Sequence, residues 1–193
     1  LLYEAFMELT TDIIKQLREA TGVSVMQCKK ALEEADGDLA KAEVLLKKRS
    51  AASAQMKAGR ELGAGAIGTY VHDSVIGAMA LLSCETDFVA KNPEFVVLAR
   101  EMAMQVAATA PAYARQEEIP EGQRTAALAV FEKEVEGKPE DMKQKILDGK
   151  LASYFRDQVL MEQPYIKDES KTVRDLLNEA SQKFGERIEV GGF

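Results

Sequence analysis

Residues 84–93 read Cys-Glu-Thr-Asp-Phe-Val-Ala-Lys-Asn-Pro, and this stretch joins a predicted strand to a predicted helix. The β-favouring run from Val75 to Ser83 lies immediately before it. Asn92 and Pro93 are a typical N-cap and first helical residue, so a helix is predicted to begin there. The helix has an apolar stripe at helical spacing, formed by Phe95, Leu98, Ala99, Met102 and Val106.

Phe88 is an aromatic residue in this otherwise polar connection, and two interpretations of it remain open. With Val89 it could staple the helix that Asn92 caps, which is a structural role. Alternatively, it could be an exposed aromatic anchor beside the acidic Asp87. Such anchors concentrate binding energy at protein–protein interfaces.

The sequence on either side of this junction predicts an α+β core. Ile67, Thr69, Tyr70 and Val71 favour strand, and His72, Asp73 and Ser74 connect them to the run Val75–Ser83, which indicates an antiparallel hairpin. A further strand is predicted at 187–190, so the core combines a small antiparallel sheet with the helices packed on it. The other predicted helices span about 122–135, 139–148, 151–162 and 172–184, the last opened by Thr172 and closed by Gly185.

The N-terminal part predicts a bundle of three short helices. The first ends at Gly22, a capping box from Ser24 to Gln27 starts the second, and Asp38 caps the third. Their apolar positions are Leu9, Ile13, Leu17 and Ala20, then Cys28, Ala31, Leu32 and Ala35, then Leu39, Ala42, Leu45 and Leu46. Residues 50–68 are rich in Ala, Ser and Gly and have few large apolar side chains, which favours a linker over a core segment. The predicted organisation is therefore a possible extension at 1–6, a three-helix domain at 7–49, a linker at 50–63 and an α+β core and dimerisation domain at 64–193.

Composition indicates a soluble, cytoplasmic protein. Hydrophobic residues make up 46% of the chain and charged residues 30%, and the net charge is −7. No apolar run is long enough to cross a bilayer, and the acidic balance disfavours nucleic acid as a direct partner. The two cysteines, Cys28 and Cys84, lack metal-ligand spacing and are interpreted as buried small side chains.

The pattern most typical of an enzyme is Gly63, Gly65 and Gly68, which fits G-x-G-x-x-G. In dinucleotide-binding proteins these glycines leave a strand and open a helix, whereas here they precede a β-rich run. His72 is the single histidine and is predicted to lie at the hairpin turn, where a solvent-facing role is favoured over a general base. The sequence therefore predicts no catalytic residues, no metal site and no cofactor.

Thr86–Asn92 resembles the signature of the elongation factor Ts family. A second match is similar to the family's ubiquitin-associated-like three-helix domain: it comprises residues 17–22 and 28–32, followed by the Asp36-Gly37-Asp38 turn. The resemblance covers about residues 7–193. It implies a non-enzymatic translation elongation factor that acts as guanine-nucleotide exchange factor for elongation factor Tu. GDP release would be promoted by disturbing the magnesium and phosphate site.

The resemblance also implies which residues contact the partner. Asp87 and Phe88 would intrude into the nucleotide domain of elongation factor Tu, and the N-terminal domain would grip that same domain. About 100 residues follow the signature, which is similar to short family members with one core half that form homodimers. The implied magnesium-dislocating contact comprises Thr86, Asp87, Phe88 and Val89, and the implied N-terminal contact comprises Thr21, Gly22, Val23 and Met26.

Two other classes remain as alternatives. One is an adaptor whose three-helix domain recognises another helical protein or a nascent chain. The other is a nucleotide-cofactor enzyme that uses the glycine triplet. Release of labelled GDP from the partner separates the exchange factor from the adaptor, and a cofactor titration addresses the enzyme.

Overall fold

The computed structural model describes residues 11–135 and 139–193. The predicted extension at 1–6, and Leu9 of the first predicted stripe, lie outside these residues. Three helices form the beginning of the described chain: α1 (Thr11–Thr21), α2 (Val25–Glu34) and α3 (Leu39–Lys57). They enclose an apolar core whose buried members from the predicted stripes are Leu17, Cys28, Ala31, Leu32, Ala35, Ala42 and Leu46. Val23, which the stripes did not include, is buried in the same core.

The predicted end of α1 and the predicted starts of α2 and α3 are confirmed. Gly22 follows α1 with a positive φ of 68°, which glycine adopts without a steric penalty. The Ser24 hydroxyl oxygen accepts a hydrogen bond from the Gln27 N–H at 3.4 Å, and Asp38 accepts one from Lys41 N–H at 3.1 Å. The expectation for Ala20 is wrong, because this residue is exposed.

Helix α3 is longer than predicted, since it continues to Lys57. The Ala- and Ser-rich residues 50–57 are therefore helical, and the predicted boundary between residues 49 and 50 falls within α3. Ser50 is buried and hydrogen-bonds to Gln182, while the Lys57 ammonium donates to the Ser181 carbonyl at 2.9 Å. Small residues are compatible with a helix, and these contacts from distant residues stabilise one that the composition alone did not indicate.

The antiparallel hairpin is confirmed as β1 (Ala64–His72) and β2 (Ile76–Cys84), and β5 (Glu189–Gly192) completes a sheet of order β1-β2-β5. The Val75 N–H donates to the His72 carbonyl at 2.9 Å across the turn. Asp73 and Ser74 have positive φ angles of 46° and 58°, the conformation that matches the twist of hairpin strands.

The glycine triplet enters a strand and not a helix, as predicted from its position. Gly63 precedes β1, and Gly65 and Gly68 lie within it. A Cβ atom on Gly68 would lie 1.9 Å from the backbone oxygen of Ala99 in helix α5 (Pro93–Thr109). Gly68 therefore permits the close packing of strand on helix. The α5 stripe is also confirmed, with Phe95, Leu98, Ala99 and Met102 buried.

The prediction of two separate helices at 139–148 and 151–162 is wrong. A single helix, α7 (Glu140–Phe155), spans Gly149 and is followed by short 3₁₀ turns at Arg156–Gln158 and Leu160–Glu162. Gly149 weakens the helix by about 1 kcal/mol relative to alanine, but it does not end it. Leu151 and Phe155 continue the apolar face and pack in a cluster with Ile119, Ala127 and Val159.

The remaining elements complete an α+β fold in which a small antiparallel sheet packs on helices, as predicted. They are α6 (Glu121–Glu134), the antiparallel pair β3 (Pro164–Tyr165) and β4 (Asp168–Thr172), α8 (Val173–Phe184) and the one-turn helix α4 (Asp87–Ala90). None of the helices within 11–135 and 139–193 is long and apolar enough to cross a membrane.

Two compact units can be distinguished by their internal packing. Among the described residues, the first comprises 11–65 with Ser83–Asn92 and Asp175–Glu189. The second comprises 66–82, 93–135, 139–174 and 190–193. The junction that carries Phe88 thus belongs to the same unit as the N-terminal helices.

Candidate functional site

Phe88 lies on α4 and projects into solvent, with 83% of its surface exposed. Its neighbour Val89 is buried, with 5% exposed. Phe88 therefore does not staple the following helix, and the buried contact at this turn belongs to Val89. The structure leaves Phe88 as an exposed aromatic side chain on a one-turn helix, which agrees with the second interpretation of the sequence.

Asp87 stands beside Phe88 and forms an ion pair with Lys91. The Lys91 ammonium donates to the Asp87 carboxylate at 2.7 Å, and both side chains are about three-quarters exposed. The Lys91 hydrogen bond holds the pKa of Asp87 below its usual value. Asp87 is therefore ionised at neutral pH, and a negative charge lies next to the exposed aromatic ring.

Thr86 is the N-cap residue of α4, but its side chain makes no capping hydrogen bond to that helix. The Thr86 hydroxyl instead donates to Oε1 of Glu186 at 2.5 Å. The other carboxylate oxygen of Glu186 accepts from the backbone N–H groups of Glu85 and Thr86, both at 3.0 Å. One side chain thus receives three donors from the residues immediately before Asp87.

Glu85 makes the reciprocal contact. Its carboxylate accepts from the Arg187 backbone N–H at 2.5 Å and from the Arg60 guanidinium at 3.1 Å. The Arg187 hydrogen bond is the main cause that lowers the pKa of Glu85, and Arg60 adds to it. The segments 85–86 and 186–187 are therefore joined in both directions by carboxylates that accept main-chain hydrogen bonds.

The residues predicted for the N-terminal contact differ in exposure. Met26 is 80% exposed at the start of α2, and Gly22 is also exposed. Thr21 is half-buried and its hydroxyl donates to the Leu17 carbonyl at 2.7 Å. Val23 is 1% exposed and belongs to the core of the bundle, so it supports the surface from below. Val25, which the sequence did not single out, is 51% exposed beside Met26.

The other residues considered from the sequence are the histidine and the two cysteines. His72 is exposed at the end of β1, where its Nδ1 lies 3.0 Å from the Tyr70 hydroxyl. Cys28 and Cys84 are both free and buried, as expected, and burial is the main cause that raises the pKa of each thiol. These thiols are protonated at neutral pH, so neither is an activated nucleophile.

The family model described as elongation factor TS matches residues 3–192 of this chain. The chain belongs to the elongation factor Ts family. A curated elongation factor Ts from Thermotoga neapolitana is 47% identical over 188 residues, which cover 97% of this chain and 95% of that protein. The elongation factor Ts of Leptospira biflexa is 46% identical over 192 residues and is covered to 96%, and that of Thermodesulfovibrio yellowstonii is 44% identical and covered to 94%.

Membership of the elongation factor Ts family makes the chain a translation elongation factor. The relatives are covered almost over their whole length, so the match includes the three-helix bundle and the α+β core. Sequence reasoning identified the Phe88 turn but missed Glu186, Arg187 and Arg60. These residues contact Glu85 and Thr86, just before the turn, from about 25 to 100 positions away, and no motif in the sequence pairs them with it.

Proposed function

We propose that this chain is a guanine-nucleotide exchange factor for elongation factor Tu and has no catalytic site or cofactor of its own. As a translation factor it would act in the cytoplasm. The observation that supports this function best is the exposure of Phe88, 83%, on a turn whose backbone is hydrogen-bonded to a distant segment. Exposing a phenylalanine to water is unfavourable, by roughly 2 kcal/mol compared with burying it, and a partner pocket would recover that free energy.

The intrusion of Phe88 explains how binding could release GDP. A GTPase holds GDP through backbone N–H groups around the phosphates and through Mg²⁺, which requires a near-octahedral set of ligands. An aromatic ring that enters an apolar gap between helices of the GTPase would displace the elements that position these ligands. The shift would weaken GDP binding without any bond being made or broken.

Asp87 would contribute charge at the same place. It is ionised at neutral pH and lies beside Phe88, so it can accept hydrogen bonds from partner backbone or repel the anionic groups of the nucleotide site. Thr86 would act through the backbone of the turn, since its hydroxyl is already engaged by Glu186. Val89 would hold the turn from its buried side.

Release of the factor follows from thermodynamic linkage. If the factor weakens nucleotide binding by a given ratio, nucleotide weakens factor binding by the same ratio. Rebinding of GTP therefore expels the factor, and one copy can act repeatedly. Without this reciprocity the factor would stay bound to its partner after one round of release.

The N-terminal bundle would hold the partner while the Phe88 turn acts on it. Met26 and Val25 form an exposed apolar pair at the first turn of α2, a few residues after Gly22 in the sequence. Methionine is flexible and adapts to an apolar surface, which suits a contact that contributes affinity. Thr21 and Val23 would shape this contact from within the bundle.

We further propose that the chain forms a homodimer through the hairpin of the second unit. Alternate residues of β1 and β2 are exposed, and several of them are large and apolar: Ile67, Val71, Met79 and Leu81. Contiguous exposed apolar surface is typical of interfaces, and a second copy would offer a self-complementary face. Light scattering should give twice the monomer mass, and Met79→Lys should shift the mass towards that of the monomer. The control Val130→Lys changes an exposed residue of α6 and should leave the dimer mass unchanged. A wild-type monomer at tens of micromolar would contradict the dimer.

Release of fluorescently labelled GDP from elongation factor Tu tests the proposed function. The chain should accelerate release at concentrations far below those of the partner, because each copy turns over. Binding without acceleration would favour the adaptor. Saturable binding of NAD or GDP to the isolated chain below about 10 μM would favour a cofactor enzyme, since that affinity corresponds to about −7 kcal/mol.

A further inference from the structure

Glu186, two residues after the end of α8, is placed to control the turn that carries Phe88. Gly185 closes α8 with a positive φ of 76° and reverses the chain, so Glu186 leaves the helix in a fixed direction. The Ser181 hydroxyl donates to the Glu186 carbonyl at 2.6 Å. The Glu186 backbone is thus tied to the last turn of α8 on one side.

The Glu186 side chain then ties this helix end to the Phe88 turn. It accepts the N–H groups of Glu85 and Thr86 and the Thr86 hydroxyl, as described above. A carboxylate that accepts several hydrogen bonds binds more strongly than a neutral acceptor. The contact spans about 100 residues of sequence, so it fixes a local turn by a distant element.

The unused capping position supports this interpretation. An N-cap threonine normally satisfies the first N–H groups of its own helix. Here the Thr86 hydroxyl points to Glu186 instead, and α4 has only one turn. The orientation of Asp87 and Phe88 therefore depends on the Glu186 carboxylate more than on capping within α4.

We propose that Glu186 is a positioning residue for nucleotide exchange: it holds the backbone before Asp87 so that Phe88 is presented in its binding orientation. This inference rests on the proposed exchange function. Within the bound complex, an anchor already held in its inserted orientation loses less conformational entropy on entering the nucleotide domain than a mobile one, so insertion is favoured even at saturating factor. Removal of Glu186 would leave Phe88 in place in the sequence but would allow the turn to sample other orientations.

A double-mutant cycle with the full chain tests this proposal. Glu186→Ala should lower the maximal rate of GDP release from elongation factor Tu about fivefold at saturating factor concentration. In a Phe88→Ala background the same change should have less than about a twofold effect, because the positioned ring is no longer there. Glu61→Ala removes an exposed carboxylate of the same unit and should leave the rate unchanged.

Two further measurements separate positioning from folding. Hydrogen exchange at the amides of Glu85 and Thr86 should accelerate in Glu186→Ala, because both lose their acceptor, while the melting temperature changes little. If the alanine variant does not fold, Glu186→Gln keeps the size and one acceptor oxygen and should give a smaller loss in the same direction.

The outcomes distinguish this inference from the function on which it rests. A wild-type rate in Glu186→Ala, or an equal loss with and without Phe88, would overturn the positioning role while Phe88→Ala alone still slowed release. If the wild-type chain failed to accelerate GDP release at all, the proposed function would fall instead. The amide-exchange comparison would then still show whether Glu186 holds the turn.

Discussion

Phe88 and Met26 are both exposed apolar side chains of the same unit, but different contacts hold their backbones. Met26 is 80% exposed on a helix whose start is fixed by Ser24 and Gln27, all within a few residues. Phe88 is 83% exposed on a turn that Glu186 holds from about 100 residues away. One backbone is thus held by a local cap and the other by a contact with a distant segment. In the proposed function these two side chains have separate tasks, with Met26 contributing affinity and Phe88 driving nucleotide release.

The largest expected effect is that of Phe88→Ala on exchange at subsaturating factor. GDP release should slow about tenfold or more, because loss of an aromatic anchor commonly costs at least about 2 kcal/mol. The melting temperature should hardly change, since the ring is in solvent. Stopped-flow fluorescence and thermal melting on the same sample check both. Phe88→Leu keeps an apolar side chain, so its GDP release rate should lie between those of wild type and Phe88→Ala. A wild-type rate for Phe88→Ala would contradict the role of Phe88 as an anchor.

Ser24→Ala should lower the free energy of unfolding and leave the action of Phe88 on exchange unchanged. Loss of an N-cap typically destabilises a helix by about 1 kcal/mol, so the free energy of unfolding should fall by roughly that amount. Exchange at saturating factor should stay near wild type. Denaturant unfolding measures the change. Ser153→Ala, at an exposed position inside α7, is the control; equal stability of the two variants would show that the Ser24 cap does not stabilise α2.

Met26→Ala should weaken partner binding about threefold, because a flexible exposed side chain contributes less than a central aromatic one. Calorimetry with nucleotide-free elongation factor Tu measures the affinity. Met56 is similarly exposed, at 81%, on α3, so Met56→Ala is a matched control. If Met26→Ala binds like wild type, Met26 does not contribute to the contact.

The smallest expected effect is that of Glu85→Gln on the pH dependence of stability. The pKa of Glu85 is lowered in the folded chain, chiefly by the Arg187 N–H, so its contribution to stability is present above the usual glutamate pKa of about 4.3. That contribution is lost as the pH falls through the lowered value. In Glu85→Gln the free energy of unfolding should therefore fall less steeply with decreasing pH below about pH 4.5. In Ser24→Ala the slope of unfolding free energy against pH should match that of wild type. Denaturant titrations at several pH values measure it, and an unchanged slope in Glu85→Gln would contradict the ionic contact.

The same comparison explains what the sequence could predict. The starts of α2 and α3 could be predicted because each cap and its partner lie close together, as in Ser24 with Gln27 and Asp38 with Lys41. The hairpin was readable from β-favouring runs on either side of a short turn. In each of these cases the determining contact is local.

Contacts between distant residues could not be predicted. Residues 50–57 looked like a linker by composition, but Ser50 and Lys57 are held in a helix by residues 181 and 182. Gly149 looked like a break, but the apolar face of α7 continues across it. The position of Phe88 in the motif was predicted, whereas the support from Glu186 required the structure.

The most direct test is a titration of the GDP release rate against factor concentration for wild type, Phe88→Ala and Met26→Ala. Phe88→Ala should lower the plateau rate, because the step that disturbs the nucleotide site is impaired even in the full complex. Met26→Ala should reach the wild-type plateau at a higher factor concentration. A Phe88→Ala curve that reaches the wild-type plateau would contradict the claim that the exposed ring drives nucleotide release.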